Sequence, residues 1–376
     1  MRRTLTWALA ALICLSGTFT MGVAAQPKIE DELVLITPVA KFVVDAALAE
    51  FVKYAKETWG VTLKASATNA GTPICYGKIV EWNGRPQADI FWGGESVLFE
   101  SLIAQGLIQK HEVPQDLISQ VPQHIGTPKP LPLRDAAGYW VGTALEPYGL
   151  IYHPKVLQRL GVSEIKAWDD LLNPKLKGWV AQCTPDRSSS SHASYEVILQ
   201  MYGWEKGWQY IERLAANTGQ FVARSRDVPS VVAKGEYGVG FAVPSYMAFE
   251  EVLNGYPLKF VAPPNCYVTP EPISVLAGCP HPVAAKAFIA FLLTERGQKV
   301  FMERGLFPIT PKYRVSGAPG STAERAVEFT GGVRSYFDQP VANVYDHQLA
   351  GDRTEQVNDY FRRNIMEQWD AIKKKY

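Results

Sequence analysis

Four serines and a histidine follow an acid-base pair in Asp186-Arg187-Ser188-Ser189-Ser190-Ser191-His192, after a strand-like Trp179-Val180-Ala181-Gln182 and before a helix through Tyr195 to Met201. Serines at a helix N-terminus satisfy free N–H groups and present hydroxyl donors, which together suit an anionic group. One serine capping the helix with the rest solvated is the plainer reading, and the residues alone leave both open. A second such turn is Ala70-Gly71-Thr72-Pro73-Ile74-Cys75-Tyr76. Gly71 permits close backbone approach, Thr72 is a natural N-cap, and Pro73 suits the first helical position; an ordinary helix start uses the same residues. Cys75 has three open roles: ligand contact, burial as a small hydrophobe, or oxidation. In Trp92-Gly93-Gly94-Glu95-Ser96, two glycines let a ligand lie against bare backbone, Trp92 reads as core, and Glu95 offsets or selects charge. The turn at Thr37-Pro38 joins this set.

Tyr148 and Tyr246 can stack on or hydrogen-bond an organic ligand, or simply pack as buried aromatics. Arg224-Ser225-Arg226-Asp227-Val228-Pro229 precedes a helix; an arginine there could neutralise an anion bidentately, with Asp227 as a hydroxyl or ammonium partner. A surface charge cluster is the competing outcome. Catalytic patterns are lacking: there is no GxSxG, no HExxH and no phosphate loop, and the histidines number six. His192 beside Ser191 makes no nucleophile pair, because adjacent helical residues do not face each other.

Around these turns the chain alternates strands and helices. Glu32 to Thr37 reads as a buried strand, Ala40 to Glu57 as a helix, Val61 to Thr68 as a strand, Pro73 to Glu81 as a helix and Asp89 to Trp92 as a strand. That alternation implies a largely parallel sheet, whose ligands collect at the carboxyl ends of strands. A long extended segment, Tyr139 to Ala144, is a candidate crossover into a second α/β cycle reaching Val261. With 376 residues, two lobes are expected. Gly142 to Ala144 and Lys259 to Ala262 are the candidate hinges, and the C-terminal helices, including Gln356 to Lys375, are expected on the first lobe.

Arg2 and Arg3, an apolar run from Leu5 to Phe19 and Val23-Ala24-Ala25 form a secretory signal peptide, residues 1–25, cleaved between Ala25 and Gln26. Its removal takes the formal net charge from +1 to −1, so no bias toward nucleic acid or membrane remains. Cys75, Cys183, Cys266 and Cys279 persist in an oxidising compartment, where a Cys266–Cys279 disulfide across a Pro-rich segment is possible. Their spacing does not suit zinc.

The order of Asn69-Ala70-Gly71-Thr72, Pro86-Gln87-Ala88-Asp89-Ile90-Phe91-Trp92-Gly93-Gly94-Glu95, Trp168-Asp169-Asp170-Leu171, the serine turn from Thr184, Lys234-Gly235-Glu236-Tyr237 and Thr294-Glu295-Arg296-Gly297-Gln298 resembles one family. It is the ferric-iron, thiamine and phosphosugar group of ABC-transporter substrate-binding proteins. The resemblance runs from about Leu33 to the C-terminus. It implies a two-lobed type 2 periplasmic-binding-protein fold of the α/β class with two hinge strands. Residues 26–141 and 267–376 would form lobe 1, and 142–266 lobe 2. It also implies a monomeric, non-catalytic periplasmic receptor that closes on a small molecule and meets a membrane permease, with no cofactor, metal or nucleic acid. The implied ligand contacts are Thr37, Gly71, Thr72, Cys75, Gly93, Gly94, Glu95, Tyr148, Ser188, Ser189, Ser190, Asp227 and Tyr246. Cys75 replaces the small polar residue the resemblance leads one to expect.

Iron-binding relatives use adjacent tyrosines in the second lobe. The matching stretch, Phe241 to Met247, offers Tyr246 followed by Met247, and a hard ferric ion gains little from a thioether. A phosphorylated or carboxylated organic anion is therefore the expected solute. Ferric iron, and a receptor that reports ligand to a membrane sensor kinase, stand as alternatives.

Overall fold

A computed structural model describes residues 28–376. The expected signal segment and its Ala25-Gln26 junction lie outside the described residues, as does Cys14. Nine strands of three or more residues carry the sheet: β1 Glu32–Thr37, β2 Lys64–Asn69, β3 Ile90–Trp92, β4 Val141–Tyr152, β5 Val180–Cys183, β6 Thr218–Val222, β7 Val239–Pro244, β8 Lys259–Val261 and β9 Val268–Leu276. Their main order is β6-β5-β7-β4-β9-β3-β1-β2. On one side β2, β1 and β3 run parallel and β9 closes them antiparallel; on the other β6, β5 and β7 run parallel and β4 closes them antiparallel. Each half is thus a parallel α/β unit finished by a strand from the crossing pair, the two-lobed type 2 fold.

The crossing strands join the halves. β4 and β9 pair antiparallel, with Val268 opposite Pro147 and Ile273 opposite Val141. Every residue of β9, and all of β4 except Tyr152, is buried, as expected of strands covered on both faces. The first crossing includes the expected Gly142 to Ala144 hinge. The return differs from expectation: Lys259–Val261 pairs wholly with Leu150–Tyr152 inside the second half, and Val268–Leu276 makes the crossing.

Helices cover the sheet by their apolar faces. In α1 (Lys41–Trp59), Val43, Val44, Ala47, Leu48, Phe51 and Ala55 form one buried stripe at three- and four-residue spacing, and Gly60 at φ 71° ends the helix. The helices α2 (Thr72–Trp82) and α3 (Ser96–Ala104) belong to the first half, and α4 (Ser189–Tyr202) and α5 (Trp204–Asn217) to the second. No helix among the described residues is long and apolar enough to cross a membrane.

Two expectations are corrected. The C-terminal segment comprises α6 (Thr354–Phe361), a π-helical turn Arg362–Met366 and α7 (Trp369–Lys375), and it packs on the second half. Val357, Phe361 and Ile365 recur every four residues and are buried. Phe361 meets Tyr195 at 4.8 Å, and the Trp369 indole donates to the Ala215 carbonyl at 2.9 Å. All four described cysteines are free. The nine residues of β9 separate Cys266 from Cys279 by roughly 30 Å at strand rise, far beyond disulfide reach.

Candidate functional site

The cleft lies where α2 and α4 point their N-termini at one another from opposite halves. In α2 the N-cap is Gly71, without a side-chain cap, so Thr72 is the first helical residue instead of the expected cap. Its hydroxyl is thereby released to meet the Ser189 hydroxyl across the cleft at 3.1 Å. In α4 the N-cap is Ser188, which accepts from the Ser191 N–H at 3.5 Å and donates to Ser225 Oγ at 2.9 Å. Ser190 Oγ stands 3.1 Å from the Tyr148 hydroxyl. One serine therefore caps, and the next two face the cleft. Two helix N-termini converging on one space create a positive field suited to an anion.

Together with Pro38, Val39 and Met247, these residues line the cleft. Of the expected contacts, Gly71, Thr72, Gly94, Tyr148, Ser188, Ser189, Ser190 and Tyr246 line it. Gly94, at φ 100°, needs glycine, because a Cβ there would stand 2.9 Å from Thr72 Cγ2.

Five expected contacts lie elsewhere. Thr37 is fully buried, donating to the Trp92 carbonyl at 2.7 Å and accepting from Val39 N–H at 3.0 Å, so it ties the β1 turn to β3. Cys75 is buried, its thiol 3.5 Å from the Ala70 carbonyl, and burial pushes its pKa up to about 11; it is a small core residue. Gly93, at φ 95°, sits against the protein itself: a Cβ would lie 2.5 Å from Val39 Cγ2 and 3.1 Å from Glu271 Oε2. Glu95 is buried behind the cleft and accepts the Tyr267 hydroxyl at 3.1 Å. Asp227 is held outside by Arg224, with Nη2 to Oδ1 at 3.0 Å.

The fold brings in residues that the sequence either left in an undivided charge run, Arg224 and Arg226, or gave no role of their own, Arg187, Glu146 and Glu271. Arg187, Arg224 and Arg226 line the cleft. Arg226 donates to Asn69 Oδ1 at 2.8 Å and to the Pro38 carbonyl at 2.9 Å, clasping the two halves. Arg187 is exposed at the rim and has no side-chain partner among the described residues. The floor is acidic. Glu146 on β4 and Glu271 on β9 line the cleft at 3% and 4% exposure. The signal for both was present: each is an acid inside an apolar extended run, directly before a proline, as Leu145-Glu146-Pro147 and Pro270-Glu271-Pro272.

Burial dominates the titration of this floor. It holds the Glu146 carboxyl well above the ordinary range, with the neighbouring Glu271 charge adding to the effect, and raises Glu271 to about 7. Glu95 is raised to about 8, chiefly by burial. The Tyr246 hydroxyl is pushed far up by burial and then by the Glu271 and Glu146 charges. Phe42 of the first half stacks on Tyr246 at 6.4 Å.

The sequence model of the family described as bacterial extracellular solute-binding protein matches residues 85–326. The phosphoglycerate transport regulatory protein PgtC of Salmonella typhimurium is 28% identical over 173 residues, which cover 46% of this chain and 43% of that protein. The match therefore spans less than half the length of this curated relative. Among solved structures, the periplasmic binding protein AfuA of Actinobacillus pleuropneumoniae, with exogenous fructose-6-phosphate bound, superposes with a TM-score of 0.70 at 22% identity, covering 90% of this chain and 99% of that one. Iron-bound HitA of Pseudomonas aeruginosa superposes with a TM-score of 0.64 at 19% identity, covering 87% and 99%. At these identities the structural likenesses establish the fold.

Proposed function

This chain belongs to the bacterial extracellular solute-binding protein family, and we propose that it captures a small organic anion, phosphorylated or carboxylated, between its lobes and delivers it to the permease of an ABC importer. One observation carries the reading: Thr72 and Ser189, each at the N-terminal end of a helix from opposite lobes, meet hydroxyl to hydroxyl over a cleft rimmed by Arg187. An anionic group entering there receives helix N–H groups, hydroxyl donors and a guanidinium in one place. The phosphoglycerate connection in the PgtC name and the fructose-6-phosphate bound to AfuA are in keeping with a phosphorylated solute. The single Tyr246, followed by Met247, weighs against iron.

The lobe limits that accompany this reading are 26–141 with 267–376, and 142–266, with α6 and α7 reassigned to the second lobe on their contacts. The chain works as a monomer in the periplasm, after loss of residues 1–25, without catalysis, cofactor or nucleic acid. The word regulatory in the PgtC name favours one second reading, a receptor that reports its ligand to a membrane sensor kinase.

Native mass spectrometry of protein isolated from its own periplasm should show the retained solute as added mass. Small-angle scattering with that solute should show compaction, since only differential affinity for the closed state drives hinge closure. A retained metal ion, or an unchanged radius at saturation, would overturn the proposal.

A further inference from the structure

We infer that the solute carries an ammonium group at the end opposite its anionic head, and that this cation sits between Glu146 and Glu271 on the cleft floor. The inference rests on the anion-binding role proposed above. The two carboxylates come from the crossing strands, where Glu146 faces Thr269 in the ladder, two residues before Glu271. Glu146 Oε1 accepts the Tyr148 hydroxyl at 3.0 Å. Glu146 Oε2 is buried with no hydrogen-bond partner among the described residues. A buried carboxylate oxygen without a donor is costly, and native structures rarely leave one unless a further partner arrives.

The protein offers Oε2 no cation and no neutral donor, only the proton that Glu146 shares with the Glu271 carboxyl. The cleft arginines are committed or distant from the floor: Arg226 to Asn69 and the Pro38 carbonyl, Arg224 to Asp227, and Arg187 at the exposed rim. The other groups facing the pair are the Tyr148 and Tyr246 hydroxyls, and behind them stands a third acid, Glu95. Arg226, beside Tyr246, is the nearest base, and its donors are held by Asn69 and the Pro38 carbonyl; the groups that face the two carboxyls directly are neutral or acidic. Without ligand, burial keeps a proton on the pair, as the raised pKa values of Glu146 and Glu271 state. An arriving ammonium donates to Oε2, balances the second carboxylate and releases that proton. A ligand hydroxyl also donates to Oε2, yet leaves the paired negative charge uncompensated. The floor is therefore matched to a short zwitterion, an aminoalkyl phosphate or amino-bearing carboxylate, in preference to a neutral polyol phosphate.

Calorimetry on the native protein tests this with two matched series: propyl, 3-hydroxypropyl and 3-aminopropyl phosphate, and butanoate, 4-hydroxybutanoate and 4-aminobutanoate. In at least one series the ammonium member should bind about tenfold or more tightly than its hydroxyl counterpart, the step expected for one added charge-assisted pair. Its binding heat at pH 7 should vary with the ionisation enthalpy of the buffer, reporting proton release. Glu146→Gln should narrow the gap between the two members to within about threefold, a difference of about 0.7 kcal/mol. Equal or tighter binding of the hydroxyl or methyl member, in native protein that needs no variant, overturns the inference and leaves the anion reading standing. Failure of every member of both series overturns the anion reading and this inference together.

Discussion

The Ser188 hydroxyl is spent inside its own lobe, accepting from Ser191 N–H and donating to Ser225, while the next hydroxyl along, Ser189, reaches Thr72 of the other lobe. The two positions therefore separate a cap from the proposed ligand contact. Ser188→Ala should lower unfolding stability by about 1 kcal/mol, the usual cost of a lost cap. Ser189→Ala should leave the thermal midpoint nearly unchanged and weaken the tightest member of the phosphate and carboxylate panel about tenfold to a hundredfold, because a buried partner is worth about 1–3 kcal/mol. Calorimetry and thermal melts on both variants check this, and a lowered midpoint with intact affinity in Ser189→Ala would make the turn purely structural. The serine turn was legible because capping chemistry is local. Glu146 and Glu271 each stood out as an acid in an apolar run, but their pairing was not legible, because nothing local reveals that two acids 125 positions apart share one desolvated floor.

Among the elements, α6 illustrates what amphipathic spacing leaves undecided. Val357, Phe361 and Ile365 announce a helix face that must be buried, and any apolar surface would satisfy that demand. The choice is made by a charge pair: Arg353 Nε and Nη2 donate to the two Glu196 oxygens at 2.8 and 2.6 Å, and Glu196 is fully buried. The Arg353 guanidinium also lies 5.2 Å over the Trp204 ring. Arg353→Ala strands the Glu196 carboxylate in the core of the second lobe and should destabilise the protein by about 3–5 kcal/mol. Replacing both partners, as in Arg353→Met with Glu196→Leu, should recover most of that loss, because no buried charge is then left alone. Urea unfolding of the three proteins measures it; an Arg353→Ala cost under about 1 kcal/mol would show the pair to be solvated.

Across the whole molecule, the acids gathered where the two lobes join make stability depend on pH. Glu95, raised to about 8 against an unfolded carboxyl near 4.3, binds a proton in the folded state that the unfolded chain releases earlier. Its contribution is fully present below the unfolded value and is lost as pH rises toward 8. Buried His111, lowered by burial to about 4, acts in the opposite sense below the ordinary histidine range. The clean measurement is therefore a difference: stability of Glu95→Gln relative to the unmodified protein should rise as pH goes from 5 to 8. A difference that stays flat or falls over that range would show that Glu95 titrates normally.

The sequence by itself determined what local order and length impose. Alternating apolar strands and amphipathic helices require parallel α/β units, a chain of this size requires two of them, and glycines, prolines and hydroxyl residues mark the turns where helices begin. Only the tertiary structure decided which of those turns face each other, because that depends on pairing β4 with β9 across more than 120 positions. That pairing turns Arg226 from a candidate anion ligand into a clasp on Asn69 and Pro38, and it draws Cys266 and Cys279 apart. It also buries Glu146 beside Glu271. Each of these outcomes rests on desolvation by residues distant in sequence, and burial of that kind exists only once the lobes have packed.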